Sequence, residues 1–163
     1  MTLADTCLTV PIMSKSSRYR LHRSLGYQLT LASRLQEKFL DEKLKSLGLT
    51  RTTWCILLAI NNENLCYPSD IANFVGIDRT STSRALRQME NDGLIARKAG
   101  IDDKRTTKVE ICDSGKALVQ KGTPFAIENN ARMQAKLADG EIATLHALLQ
   151  KLHQGEDISL NRF

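Results

Sequence analysis

The sequence lacks the cysteine and histidine spacing of a metal site. Its three histidines form no cluster beside the cysteines, and no CxxC pair is present among the four cysteines, which are Cys7, Cys55, Cys66 and Cys112. We therefore expect no structural metal and no cofactor.

Signals for secretion and membrane insertion are missing as well. The N-terminus has no cationic start followed by an apolar run and a small-residue cleavage site. No uninterrupted apolar stretch approaches membrane-spanning length. We expect a chain of the reducing cytoplasm with no membrane partner.

Catalytic constellations are also missing, since we find no nucleophile, base and orienter set, no phosphate-binding glycine loop and no paired carboxylates. We therefore do not expect an enzyme. The chain instead has 23 basic and 18 acidic residues among 163, and 42% of its residues are hydrophobic. Such a chain can bury a core, and its net charge of +5 mildly favours a polyanionic partner.

The periodicity of apolar residues is mostly helical. It predicts one long amphipathic helix over about 17–47, ended by Gly48. Thr50 is placed to cap a second helix, and Pro68 begins a third that Gly76 interrupts. A fourth helix follows Gly76. The third and fourth helices are therefore short and joined by a tight turn.

The segment "IDRTSTSRALRQMENDGL" has a thin apolar stripe on a predicted helix capped by Asp78. The inward residues are Thr82, Ala85, Leu86 and Met89. The outward residues are Arg79, Thr80, Ser81, Ser83, Arg84, Arg87 and Gln88. Arginine can donate two bonds to guanine, glutamine can pair with adenine, and small hydroxyl residues let a helix enter the major groove. The simpler alternative is a solvated face of a surface helix.

After Gly93 the period changes from helical to two, which predicts a β-hairpin with the charged tip "GIDDKRT". The tip can place Lys104 or Arg105 against the backbone or in the minor groove of DNA. A helix, a glycine turn, a capped polar helix and a basic hairpin occur here in the order of a winged helix-turn-helix.

The terminal helices carry more apolar surface than a small central domain could cover, so we expect them to pair with a second chain. The predicted fold class is mainly α with a small β-hairpin wing. Its winged helix-turn-helix DNA-binding domain spans 48–112, the helical dimerisation region spans 17–47 and 113–163, and 1–16 form an N-terminal tail.

The chain resembles the MarR family of bacterial transcriptional regulators, from "SLGYQLTLASRLQEKFLDEKL" through "PSDIANFVGIDRTSTSRALRQMENDGLIARKAGIDDKRTTKVEICDSG" to "LADGEIATLHALLQKL". The most specific element is the wing motif Asp-x-Arg, here Asp103, Lys104 and Arg105. The resemblance implies that the arginine enters the minor groove and that the aspartate helps hold the wing. It further implies a homodimer on a pseudo-palindromic operator in double-stranded DNA, usually as a repressor released by a small phenolic ligand or by cysteine oxidation.

The expected DNA-contacting residues lie on the third and fourth helices and on the wing. They are Ser69, Arg79, Thr80, Ser81, Ser83, Arg84, Arg87, Gln88, Arg97, Asp103, Lys104 and Arg105. Three positions depart from the family pattern: Thr82 replaces a core aliphatic, Phe74 occupies the exposed position before Val75, where it flanks DNA or covers a helix end, and Cys112 replaces the threonine that caps the helix after the wing. We therefore expect that cap to pass to Asp113 or Ser114.

The sequence offers two candidate regulatory sites, one for a small effector and one for a redox signal. In the family the effector pocket lies beside the first and second helices, where an aromatic carboxylate would suit His22, Arg23, Tyr27 and Trp54. A tryptophan on an amphipathic helix such as Trp54 is more often a core residue. The alternative is a thiol-based redox sensor on the same scaffold. Its candidates are Cys7, near the N-terminus, and Cys112, near a helix start that could lower the thiol pKa.

Overall fold

The computed structural model describes residues 18–99 and 107–155. Cys7 and the wing-tip residues Asp103, Lys104 and Arg105 lie outside these ranges. Six α-helices and one two-stranded antiparallel hairpin form the described part, in agreement with the predicted fold class. In chain order they are α1 (Leu25–Lys45), α2 (Arg51–Asn61), α3 (Pro68–Val75), α4 (Arg79–Asn91), β1 (Ile95–Ala99), β2 (Thr107–Ile111), α5 (Asp113–Gln134) and α6 (Glu141–His153).

The first helix begins later than the sequence predicts. Leu21–Arg23 form a short 3-10 turn, and Ser24 has an extended backbone, so the prediction of one helix starting at 17 is wrong. The physical reason is local, because the Ser24 hydroxyl accepts a hydrogen bond from the Tyr27 amide at 3.4 Å and so caps α1. The apolar periodicity that predicted the helix does not reveal this cap.

The chain divides into two compact units within α1, between Arg34 and Leu35. The core described here belongs to the second unit. Its fully buried large side chains are Leu44, Ile56, Leu57, Ile71, Thr82, Leu86, Met89 and Val109. They come from α1 to α4 and from β2, so α4 and the hairpin share one core with the helices before them.

The predicted helix boundaries around α2 to α4 are confirmed. Thr50 and Thr53 form a reciprocal capping box at the start of α2, and Pro68 occupies the first turn of α3. Gly76 ends α3 with φ of 74°, a left-handed conformation that glycine adopts without strain. The tight turn between the two helices depends on this residue.

The hairpin is in register with Ile95 opposite Ile111 and Ala99 opposite Thr107. Ile95 and Val109 are buried, which fixes the inward face of each strand. On its other edge, β2 is held by the segment before α3, because the Val109 amide donates to the Cys66 carbonyl at 2.8 Å. The base of the wing is therefore part of the core.

The cap expected for α5 is not formed by Asp113 or Ser114, so that prediction is wrong. Cys112 occupies the cap position and makes no side-chain capping bond. The Ser114 hydroxyl instead donates to the Gly93 carbonyl at 2.5 Å, and Asp113 pairs with Lys116 at 3.0 Å. The Ser114 hydroxyl, which was expected to cap α5, is therefore bonded to the turn after α4.

Apolar surface remains uncovered on the terminal helices. No residue of α6 is buried in the protomer. Leu145, Leu148 and Leu152 are 41%, 53% and 47% exposed, and Leu25, Leu35 and Ile127 are exposed as well. Within the described part of the chain, no helix combines the length and apolarity needed to cross a bilayer.

Candidate nucleic-acid interface

The start of α4 is fixed by Asp78. One carboxylate oxygen accepts from the Ser81 amide at 2.8 Å, and the other accepts from the Ser81 hydroxyl at 2.5 Å. The hydrogen bond from the Ser81 hydroxyl is the main reason that the pKa of Asp78 lies below its usual value. The hydroxyl of Ser81, an expected DNA contact, is therefore bonded within the helix cap.

The inward stripe of α4 is confirmed, with Thr82, Leu86 and Met89 buried and Ala85 half-buried. The Thr82 hydroxyl donates to the Asp78 carbonyl at 2.9 Å, so burial leaves that group satisfied. This bond explains how a threonine occupies a place where the family has an aliphatic side chain.

The outward face of α4 forms a shallow concavity lined by Arg79, Thr80, Ser83, Arg84 and Arg87. These five lining residues contribute three guanidinium groups and no carboxylate. Such a surface suits the phosphates and the guanine edges of DNA. The structure thus brings five of the expected contact residues together on one face.

Two of the outward side chains have partners on α4 itself or at its end. Arg87 donates to the Ser83 hydroxyl at 3.2 Å, and the Gln88 amide donates to Asp92 at 2.9 Å. Both pairs are four residues apart, which places them side by side on a helix. They orient Arg87 and Gln88 before any ligand is bound.

Arg97 is held within the protein rather than extended from it. Its Nε and Nη2 atoms donate to Glu90 Oε2 at 2.7 and 2.5 Å, and its amide donates to Glu90 Oε1 at 3.1 Å. The hydrogen bond from the Arg97 side chain is the main reason that the pKa of Glu90 is lowered. Sequence reasoning missed Glu90, because no local pattern links it to a residue seven positions later.

The remaining expected DNA contacts lie on α3 and the wing. Ser69 is exposed in the first turn of α3 and donates to Asp70 at 3.1 Å. Asp103, Lys104 and Arg105 lie outside the described residues, and their roles stay predictions from the sequence.

The expected effector residues lie in different parts of the fold. In the first unit, the rings of His22 and Tyr27 meet edge to face with centroids 4.8 Å apart, and Arg23 ends the same 3-10 turn as His22. In the second unit, Trp54 is only 3% exposed and packs on Gly122 of α5. Trp54 is thus a core residue, and its part in effector binding stays a prediction.

The cysteines show no paired arrangement among the described residues, where Cys55, Cys66 and Cys112 are free thiols. Burial raises the pKa of Cys55, an effect that the charge of Arg51 partly opposes. Cys112 is half-buried at the start of α5. In the same described ranges, no three His, Cys, Asp or Glu side chains are grouped closely enough to hold a metal ion.

Helices α3 and α4, joined by the Gly76 turn, followed by a hairpin packed on the same core, define a winged helix-turn-helix. Residues 47–106 match the sequence model of the MarR family, and this match includes α2, α3, α4 and β1. The match and the fold together confirm the resemblance inferred from the sequence. Over these residues the chain is similar to the MarR family.

Solved structures of similar fold span most of the chain. A probable transcriptional regulator from Pseudomonas aeruginosa is 27% identical, with a TM-score of 0.74 over 82% of this chain and 99% of that protein. BpsR of Bordetella bronchiseptica, whose DNA binding is regulated by 6-hydroxynicotinic acid, is 21% identical, with a TM-score of 0.78 over 86% and 100%. A mutant MarR of E. coli complexed with operator DNA is 23% identical, with a TM-score of 0.73 over 78% and 92%.

Proposed function

We propose that the chain is a homodimeric repressor that binds a pseudo-palindromic operator in double-stranded DNA and is released by a small aromatic effector. Helix α4 reads base edges in the major groove, and Arg105 of the wing enters the flanking minor groove. The expected domain boundaries are kept: 48–112 bind DNA, and 17–47 with 113–163 form the dimer.

The observation that carries this proposal is the outward face of α4. Arg79, Arg84 and Arg87 present guanidinium groups along a concavity that contains no carboxylate among its lining residues. Thr80 and Ser83 between them are short, so the helix axis can approach the floor of the major groove. A merely solvated helix face needs neither property, and a MarR mutant of similar fold has been solved in complex with operator DNA.

The homodimer is supported by the apolar residues of the terminal helices. Leu145, Leu148 and Leu152 recur at steps of three and four, so they form one stripe along α6. This stripe stays exposed in the protomer, and a second copy of the same helices would cover it. Two recognition helices would then face half-sites about one helical turn apart, roughly 10 base pairs between centres.

The effector part of the proposal is supported by the first unit and by one relative. His22 and Tyr27 already form an aromatic pair, and Arg23 beside them supplies a cation that suits a carboxylate. BpsR, of similar fold, responds to 6-hydroxynicotinic acid, which is an aromatic acid. We propose a ligand of this class and a binding-induced change in the spacing of the two recognition helices.

The alternative is a redox switch on the same scaffold. Cys112 supports it by its place at the N-terminus of α5, where its free thiol is half-buried, whereas burial of Cys55 argues against that residue. Alkylation of all thiols decides between the two readings. A redox regulator loses its response to peroxide after alkylation, while a ligand-gated repressor keeps its full response to an aromatic acid.

Selection from a random-sequence duplex pool by the purified full chain tests the DNA-binding proposal. We expect enrichment of an inverted repeat whose half-sites are about 10 base pairs apart, bound by two chains per duplex. Recovery of no sequence preference, or of a single half-site bound by one chain, would contradict the proposal.

A further inference from the structure

An ion pair joins the last turn of α4 to the third residue of β1. Glu90 accepts three hydrogen bonds from Arg97, two from the guanidinium group and one from the backbone amide. The two side chains are 33% and 30% exposed, so water screens this pair less than it screens a fully exposed pair. Both carboxylate oxygens of Glu90 are occupied by one residue.

The other polar contacts of the hairpin act differently. Lys98 and Glu110 pair at 2.5 Å between the two strands and are 62% and 54% exposed. Lys108 lies over the Tyr67 ring, 5.7 Å from its centroid, next to the start of α3. Among the ion pairs of the described residues, that of Glu90 and Arg97 is the one that joins the recognition helix to the hairpin.

The position of this pair on β1 allows it to affect the direction of the hairpin. Arg97 lies in the middle of β1, and the strand continues past it toward the wing tip. Each further residue of a strand adds about 3.3 Å, so a small rotation at Arg97 displaces Ala99, the last residue of β1, by a larger distance. A bond to α4 at this point therefore fixes the direction of the wing with respect to the helix.

We propose that Glu90 is a positioning residue for DNA binding: it holds Arg97, and so sets the wing at the angle at which wing and α4 meet the same duplex. Arg97 then serves DNA binding through this bond and not as a base or phosphate contact. A wing fixed in advance loses less conformational entropy when it binds. The inference rests on the proposed function, in particular on the wing contact of Arg105.

A double-mutant cycle tests the inference. Operator affinity is measured for wild type, Glu90→Gln, Arg105→Ala and the double variant, on a duplex that the wild-type protein selected from a random pool. We expect Glu90→Gln to weaken binding about tenfold in the wild-type background and less than about twofold in the Arg105→Ala background. Hydroxyl-radical protection should be lost at the outer flanks and kept at the centre of the half-sites.

Glu110→Gln is the matched control, because it removes an ion pair of the same hairpin without touching α4. It should bind within about twofold of wild type. Thermal unfolding establishes that each variant is folded. If Glu90→Gln does not fold, Arg97→Lys replaces it, since lysine keeps the charge but cannot reproduce the planar pairing with Glu90.

Four outcomes overturn the inference, and they are distinguishable. Wild-type affinity of Glu90→Gln, or an equal loss in both backgrounds, refutes the positioning role while leaving the wing contact intact. Wild-type affinity of Arg105→Ala refutes the wing contact of the proposed function, and the inference fails with it. A loss in Glu110→Gln as large as that in Glu90→Gln would show that the pair acts only on hairpin stability.

Discussion

The indole ring of Trp54 packs directly on Gly122, so closely that a Cβ added to the glycine would lie 2.5 Å from a ring carbon. This contact joins α2 to α5 in the core of the second unit. Gly122→Ala should therefore lower the free energy of unfolding by about 1–3 kcal/mol, the usual cost of overpacking a core. Chemical denaturation monitored by tryptophan fluorescence measures the change.

Gly26→Ala is the matched control for that prediction. Gly26 lies in the first turns of α1, and a Cβ at this position meets no atom within 4 Å. The same substitution should here be neutral or stabilising, by up to about 1 kcal/mol, because alanine favours the helix. Equal destabilisation by both variants would contradict the close packing of Trp54 on Gly122.

The Asp78 cap makes the stability of α4, and of the core that α4 shares, depend on pH. The pKa of Asp78 is lowered in the folded chain, chiefly by the Ser81 hydroxyl, so its carboxylate stabilises the fold above the unfolded pKa. That contribution is lost as the pH falls through the lowered folded pKa. Asp78→Asn keeps an acceptor oxygen but no charge, so its melting temperature should lie below that of wild type at neutral pH.

The difference between the two melting temperatures should shrink as the solution is acidified. Other carboxylates titrate in the same range, and comparison at each pH removes their common effect. A difference that stays constant from neutral pH to strong acid would contradict the capping role of the carboxylate.

The apolar stripe of α6 should decide the oligomeric state. Replacing Leu145, Leu148 and Leu152 by glutamine removes the surface that a partner chain would cover, so sedimentation should show a monomer or an unfolded chain. Glutamine at Ala143 and Ala147, which helical spacing places on the opposite side of α6, should leave a dimer. A dimer that persists after the leucine substitutions would contradict this interface.

The recognition helix could be predicted in detail because its signals are local. Asp78 at its start and Gly76 in the preceding turn are properties of a few adjacent residues, and the buried spacing of Thr82, Leu86 and Met89 follows from one helical period. The same holds for the hairpin, because apolar and polar side chains alternate along β2. The fold class follows from the order of these elements.

Contacts between distant or competing groups could not be predicted. Ser24 breaks the first helix because its hydroxyl caps the next turn, which a long apolar period conceals. The sequence presents Arg97 as a free basic residue, because its ion pair with Glu90 forms only when β1 packs on α4. The Ser114 hydroxyl, expected to cap α5, is drawn to the Gly93 carbonyl by tertiary packing.

Binding by Arg84→Ala to two duplexes tests most directly whether α4 reads bases. Affinity is measured on the duplex selected by the wild-type protein and on a scrambled duplex of the same composition, with Lys121→Ala on α5 as the control for one lost charge. We predict that Arg84→Ala loses about 1–3 kcal/mol on the selected duplex and much less on the scrambled one, while Lys121→Ala changes neither. Equal losses on both duplexes would show that Arg84 contacts only phosphate, and unchanged affinity on both would contradict the assignment of α4 as the recognition helix.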